Sequence, residues 1–229
     1  MRQAYVFVDR QEAGRALATV LKGYEGRPGL LVLGLPLGGV PVAYELAQAL
    51  GAPLDVFTVR RLELAGPDPV TLGALATGGA LVVDERVITQ HAVTPSTLDE
   101  ARLRAEVELV RLEESFRGDR PPVEVTGSTV ILVDDGMVTG ATMRTAVKAL
   151  RARHPLEIVV AVPLTSEAAR TALASDADRT ICLATPAPFG DLDGWFREFA
   201  AVEEEEVRRL LAASVSQLPE RAITGAMED

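Results

Sequence analysis

Short apolar runs alternate along this chain with longer segments whose apolar residues recur every three or four positions. Residues 30–33 and 130–133 are typical of buried strands, whereas residues 40–50 have the amphipathic pattern of a helix. Strands that alternate with helices build a mainly parallel sheet flanked by helices. We therefore predict an α/β fold, and 229 residues of which 48% are hydrophobic suffice for one domain spanning residues 1–229.

The same patterns predict where further elements and loops lie. Asp9 is expected to cap a first helix, and Gly78-Gly79 is expected to turn a hairpin between residues 72–76 and 80–83. The Gly/Pro-rich character of residues 62–71 predicts an exposed, mobile loop. Other strands are expected at residues 5–8, 54–59, 158–162 and 180–184.

A long helix is predicted after Thr94, with Pro95 at its first position. Its apolar residues form one stripe, which could pack on the sheet of its own domain or form the seam of a homodimer. Packing within the domain is favoured. The stripe consists of Leu98, Ala101, Ala105, Leu109, Leu112 and Phe116.

Composition narrows the classes of partner. A net charge of −10 argues against general binding to nucleic acid, which requires a basic surface. No apolar run approaches the roughly 20 residues that span a bilayer, and the N-terminus lacks the pattern of a signal peptide. We therefore expect a cytoplasmic protein with no membrane or nucleic-acid partner. Cys182, the single cysteine, is expected to be a buried thiol.

Residues 130–142 carry the strongest chemical signal. Four apolar residues form a strand, Asp134 and Asp135 follow it, and a loop with two glycines and two threonines then opens a helix. Ligands of α/β sheets bind at the carboxyl ends of strands, and helix N-termini bind phosphate. The two acids would repel that phosphate, so they are better suited to vicinal hydroxyls with Mg²⁺ nearby. A ribose 5-phosphate satisfies both halves.

This segment resembles the signature of the type I phosphoribosyltransferases, in which two acids precede a Thr-Gly-x-Thr phosphate loop. The resemblance implies that Asp134 and Asp135 hold the ribose hydroxyls of 5-phosphoribosyl-1-pyrophosphate. It also implies Mg as cofactor, held through this donor near the two acids and by no direct protein ligand. It implies that Thr139, Gly140, Ala141 and Thr142 bind the 5-phosphate, and that Gly136, Met137 and Val138 of the same loop are substrate-binding too. Residues 3–211 are also similar to an uncharacterised bacterial group of this family.

Two further segments fit the family, with departures. Leu37, Gly38 and Gly39 resemble its pyrophosphate loop, where a cis peptide is expected near Leu37-Gly38, but Leu37 stands where a basic residue is common. Taken alone, the two glycines could equally form a tight turn. Arg60 and Arg61 resemble the basic pair that contacts pyrophosphate in adenine-type enzymes.

The resemblance also implies catalytic and acceptor-binding residues. Val138 replaces the aspartate of hypoxanthine-guanine enzymes, so Glu63 in the predicted mobile loop is the candidate for proton transfer. A hood formed by residues 186–200, with the strand at residues 4–8, would cover the acceptor. Phe189 or Trp195 could stack on a heterocycle there, or these rings could form the core of the hood.

The leading hypothesis is an enzyme that transfers phosphoribosyl to a nitrogen heterocycle, a nucleobase in salvage. A non-catalytic sensor of the same donor is the second hypothesis, slightly favoured by Leu37 and Val138. A hydrolase has little support, because the chain lacks a Cys/His or metal-ligand cluster.

Overall fold

The computed structural model describes residues 7–64 and 69–215, which form two sheets with helices around them. The seven α-helices of this part are α1 Arg10–Val20, α2 Gly39–Leu50, α3 Glu85–Gln90, α4 Pro95–Arg117, α5 Ala141–Arg151, α6 Glu167–Leu173 and α7 Glu204–Val215. Its eight strands are β1 Leu30–Gly34, β2 Leu54–Val56, β3 Val59–Leu64, β4 Val70–Ala76, β5 Ala80–Val83, β6 Thr129–Val133, β7 Glu157–Leu164 and β8 Arg179–Ala184. None of its helices is long and apolar enough to cross a membrane.

The central sheet has five parallel strands in the order β2-β1-β6-β7-β8. The apolar residues of β1, β6 and β7 are buried on both faces, which is why these strands read as continuous apolar runs. Helices α1, α2 and α7 cover one face, and α5 and α6 pack on the other. The predicted α/β class is confirmed.

The strand predicted at residues 54–59 is in fact two elements. β2 ends at Val56 in the central sheet, and Val59 begins β3 of a second, antiparallel sheet in the order β3-β4-β5. The predicted hairpin around Gly78-Gly79 is confirmed as the turn between β4 and β5.

The loop predicted at residues 62–71 is wrong for most of its described part. β3 extends to Leu64 and β4 starts at Val70, while residues 65–68 lie outside the described part. Leu62 and Leu72 are fully buried against α4 in a cluster of their own, so apolar side chains hold these strands in place. Alternating apolar residues carried this signal, which the neighbouring Gly and Pro residues obscured.

Helix α4 is capped as predicted, with the Thr94 hydroxyl accepting from the Thr97 N–H. Its stripe lies inside the chain's own core, where Ala101, Ala105 and Leu109 pack against the second sheet. The seam alternative for these residues is therefore wrong, and a homodimer stays a prediction. The C-terminal end of α4 is fixed by a buried ion pair of 2.8 Å between Arg117 Nε and Asp55 Oδ1.

Candidate active site

The loops that follow β1 and β6 lie side by side at one edge of the central sheet. The two strands are paired in register up to Gly34 and Val133, and the Leu35 N–H donates to the Val133 carbonyl at 2.8 Å. Residues 35–39 are thereby brought against Asp134 and Asp135. This edge is the one at which the carboxyl ends of parallel strands bind ligands.

Gly38 and Gly39 are required by this close approach. A Cβ on Gly38 would lie 2.0 Å from Asp135 Oδ2, and a Cβ on Gly39 would lie 2.6 Å from the Val133 carbonyl oxygen. Gly38 has an ordinary φ of −63°, so space and not backbone conformation excludes a side chain there. The cis peptide of this loop is the Pro36-Leu37 bond, one bond before Leu37-Gly38.

The two acids lie in a desolvated environment. The Asp135 N–H donates to Asp134 Oδ1 at 3.0 Å. Burial raises the pKa of Asp134 well above its ordinary value, and the charge of Asp135 raises it further. Burial also raises the pKa of Asp135, which the hydrogen bond from Arg10 partly offsets. Such a pair favours a cation or hydroxyl donors as ligands.

Arg10 is a residue of this site that the sequence analysis missed. Its Nε donates to Asp135 Oδ2 at 2.8 Å, and each side chain is only 12% exposed. Its Nη1 donates to the Ala200 carbonyl at 2.7 Å, and its guanidinium lies 3.7 Å from the centre of the Phe199 ring. A cation at the first position of a helix is unfavourable because of the helix dipole. This unusual position was the one sign in the sequence that Arg10 has a special role.

The predicted phosphate loop is hydrogen-bonded to the connection between β7 and α6. The Met137 N–H donates to the Leu164 carbonyl at 2.9 Å, and the Ser166 hydroxyl donates to the Val138 carbonyl at 2.6 Å. Gly140 has a φ of 73° and directly precedes α5, whose first backbone N–H groups have no acceptor within the helix. Asp134 and residues 136–143 line a cavity of about 110 Å³ here. The backbone N–H groups at the start of a helix suit a phosphate group.

Both residues of the basic pair line one cavity between β3 and α4, and Arg60 also lines a second cavity. Arg60 lines a cavity of about 310 Å³ together with Leu37 of the first loop and Thr142 of α5. Its Nε is buried and lacks a hydrogen-bond partner in the described part of the chain. Arg61 is exposed and forms an ion pair of 3.2 Å with Glu63.

Glu63 is not brought to the acid pair. It lines a cavity of about 360 Å³ between β3 and α4, together with Arg60 and Arg61. Arg111 of α4 lines the cavity of about 310 Å³ that Leu37 and Arg60 also line. Sequence periodicity places Arg111 on the flank of a helix and gives no hint of this position.

The predicted hood is closed around an aromatic cluster. Phe7 forms a bridge with Phe196, and the Trp195 indole N–H donates to the Phe189 carbonyl. Trp195 is only 9% exposed, so the stacking role predicted for it does not fit and the core alternative does. Phe189 is half-buried and keeps its prediction. Leu192 covers the phosphate loop, because a Cβ on Gly136 would lie 2.3 Å from its Cδ1.

Comparison with known proteins identifies the family of this fold and site. The sequence model of a protein family, described as phosphoribosyl transferase domain, matches residues 10–199. The chain belongs to the phosphoribosyltransferase domain family. Two Mycobacterium tuberculosis proteins named "Putative phosphoribosyl transferase", from strains CDC 1551 and H37Rv, are each 36% identical over 224 residues, 98% of this chain. The chain spans about half, 50%, of the length of these curated relatives.

A crystal structure of a Thermus thermophilus protein is similar throughout the fold. It is 36% identical, covers 90% of this chain with 98% of its own, and superposes with a TM-score of 0.80. The segments that match the family model include both loops at the edge of the central sheet. The predicted family is therefore confirmed, whereas the roles of individual residues stay predictions.

Proposed function

We propose that this chain binds 5-phosphoribosyl-1-pyrophosphate and transfers its phosphoribosyl group to a ring nitrogen, with release of pyrophosphate. The observation that carries the proposal is the contact between the two loops, in which the Asp135 carboxylate lies directly against Gly38. One sugar phosphate could thereby reach the two carboxylates, the proposed phosphate cavity and the glycine loop at the same time. A nucleobase in cytoplasmic salvage is the acceptor that we propose.

Each part of the donor has candidate partners. Asp134 and Asp135 would accept from the ribose hydroxyls, and the N–H groups at the start of α5 with the Thr139 hydroxyl would bind the 5-phosphate. Arg60 would bind the diphosphate, because a buried guanidinium Nε without a partner is costly until an anion supplies one. Arg111, which forms an ion pair of 3.7 Å with Glu204 in the same cavity, would turn to the diphosphate as a second charge in place of the basic residue missing at Leu37.

Magnesium fits the acid pair through the donor. The described residues contain no group of three or more His, Cys, Asp or Glu side chains that could hold a metal ion. Two carboxylates can supply only part of the roughly six oxygens that Mg²⁺ takes, so donor oxygens and water would supply the rest. The bound ion would neutralise charge on the diphosphate.

In the proposed reaction the acceptor nitrogen attacks ribose C1 while the bond from C1 to the diphosphate oxygen breaks. The protein would act mainly by aligning donor and acceptor and by stabilising the leaving diphosphate. The acceptor would enter beneath the hood, with Phe189 as the candidate for stacking on its ring. Proton transfer by Glu63 would require β3 to move toward the acid pair.

A sensor that binds the donor without catalysis is the second candidate. Val138, 48% exposed, offers no acid beside the phosphate loop, and Glu63 lines a cavity that residues 134–143 do not line. One experiment separates the two functions. The protein is incubated with the donor, Mg²⁺ and a panel of nucleobases, and pyrophosphate release is measured. Release with a base supports the enzyme, whereas tight donor binding without release supports the sensor.

Variants test where the donor binds. The double variant Asp134→Asn with Asp135→Asn should abolish donor binding in calorimetry while the circular dichroism spectrum is preserved. The matched control replaces two exposed acids, Asp99→Asn with Asp119→Asn, and should bind as the parent does. Donor binding that survives the first double change refutes the assignment of this site.

A further inference from the structure

Arg10 touches both the acid pair and the hood, although it belongs to neither. Its guanidinium donates to Asp135 from one nitrogen and to the Ala200 carbonyl from another. The flat face of the same group lies 3.7 Å from the centre of the Phe199 ring. A planar, five-donor group is the side chain that makes three such contacts at once.

The aromatic contacts continue from Arg10 into the core of the hood. Phe199 stacks on Phe196 with ring centres 4.8 Å apart, and Phe196 packs on Phe7 at 5.7 Å. Trp195, adjacent in sequence to Phe196, is buried in the same cluster. A displacement of Arg10 would therefore remove one wall of this cluster.

Asp135 is held on two sides by this arrangement. Arg10 occupies its Oδ2, and Gly38 lies so close to the same oxygen that no side chain could fit between them. Arg10 donates to Oδ2, so Oδ1 is the oxygen that we expect to accept from a ligand. Without Arg10 the carboxylate would be free to rotate, and its negative charge would face that of Asp134 unopposed.

We propose that Arg10 is a positioning residue that ties the Asp135 carboxylate to the hood, so that donor affinity and the order of the hood are linked. This inference rests on the proposed donor site. Linkage is reciprocal, so loosening the hood weakens donor binding and loosening Asp135 loosens the hood. Leu192, which covers Gly136, gives the hood a second contact with the same loop.

Two measurements on one set of variants test the inference. Calorimetry gives the affinity for the donor with Mg²⁺, and acrylamide quenching of Trp195, the only tryptophan of the chain, reports access to the core of the hood. Arg10→Met should weaken donor binding about tenfold, the effect of one charge-assisted hydrogen bond, and should lose the protection of Trp195 from quenching. Arg10→Lys should restore part of the affinity but not the protection, because lysine keeps the charge without the planar face.

The control is Arg15→Met on the same helix. Arg15 is largely exposed and paired with Glu45 at 3.3 Å, so neither measurement should change. If Arg10→Met fails to fold, Phe199→Leu takes its place, since it removes the stacking surface and leaves the Arg10–Asp135 pair. It should lose the protection of Trp195 and weaken donor binding a few-fold.

The outcomes separate this inference from the proposed function. A parent protein that does not bind the donor refutes the proposed function. A parent that binds, together with a folded Arg10→Met variant of equal affinity, overturns the role of Arg10. Weaker binding by Arg10→Met with Trp195 as protected as in the parent refutes the link to the hood.

Discussion

Replacing Gly38 by alanine tests the packing between the two loops most directly. The new Cβ would lie 2.0 Å from Asp135 Oδ2 and 2.6 Å from Asp135 Cγ. Real Cβ atoms essentially never come within 3.0 Å of a non-bonded heavy atom. The carboxylate would have to retreat by about 1 Å or more. Its hydrogen bond of 2.8 Å with Arg10 would not survive that shift.

The cost of the substitution has two parts. Overpacking costs about 1–3 kcal/mol, and a hydrogen bond between charged groups contributes about 1.5–3 kcal/mol. We therefore expect a loss of about 2.5–6 kcal/mol, or a fall in Tm of about 5–24 °C for a chain of this size. Donor affinity should fall with it, because Asp135 is displaced. Urea denaturation and donor calorimetry measure the two effects.

Gly23→Ala is the matched control, because its Cβ would meet nothing within 4 Å. It should be neutral or stabilise the protein by up to about 1 kcal/mol. A second check combines Gly38→Ala with Asp135→Ala, which removes the group that the methyl would strike. The combined loss should be smaller than the sum of the two by about 1 kcal/mol or more. Additive losses, or a Gly38→Ala variant as stable as the control, would refute the close approach.

Three further substitutions have expected outcomes. The pKa of Asp134 is raised in the folded protein, so its contribution to stability is complete in acid and is lost as the pH rises through that pKa. Asp134→Asn should therefore raise Tm near neutral pH but not in acid. Equal Tm values of parent and variant at every pH would contradict this. Arg117→Met should cost about 3–5 kcal/mol in urea denaturation, because it leaves the buried Asp55 carboxylate unpaired, and adding Asp55→Asn should recover part of the loss. Arg60→Gln should weaken binding of inorganic pyrophosphate about tenfold without changing that of ribose 5-phosphate, whereas the exposed Arg61→Gln should change neither; equal effects of the two substitutions would argue against Arg60 as the diphosphate ligand.

The sequence by itself determined the features that depend on neighbours in the chain. The strand at residues 130–133, the two acids after it and the loop into α5 were predictable, because a buried strand, a turn and a helix start each have a local pattern. The caps formed by Asp9 and Thr94 followed from the same local rules. The α/β class followed from the alternation of these patterns, which predicts a layered parallel sheet whatever its strand order.

Only the tertiary structure decided how distant segments meet. Arg10 and Asp135 are 125 positions apart, and no local pattern at either residue indicates the other. Gly38 is compatible with an ordinary turn in sequence, and its need for glycine arises from a carboxylate of another loop. Trp195 could face a ligand or a core, and the choice was made by contacts with Phe7 and Phe196. Such contacts depend on the packing of the whole chain, which fixes distances to fractions of an ångström that periodicity cannot encode.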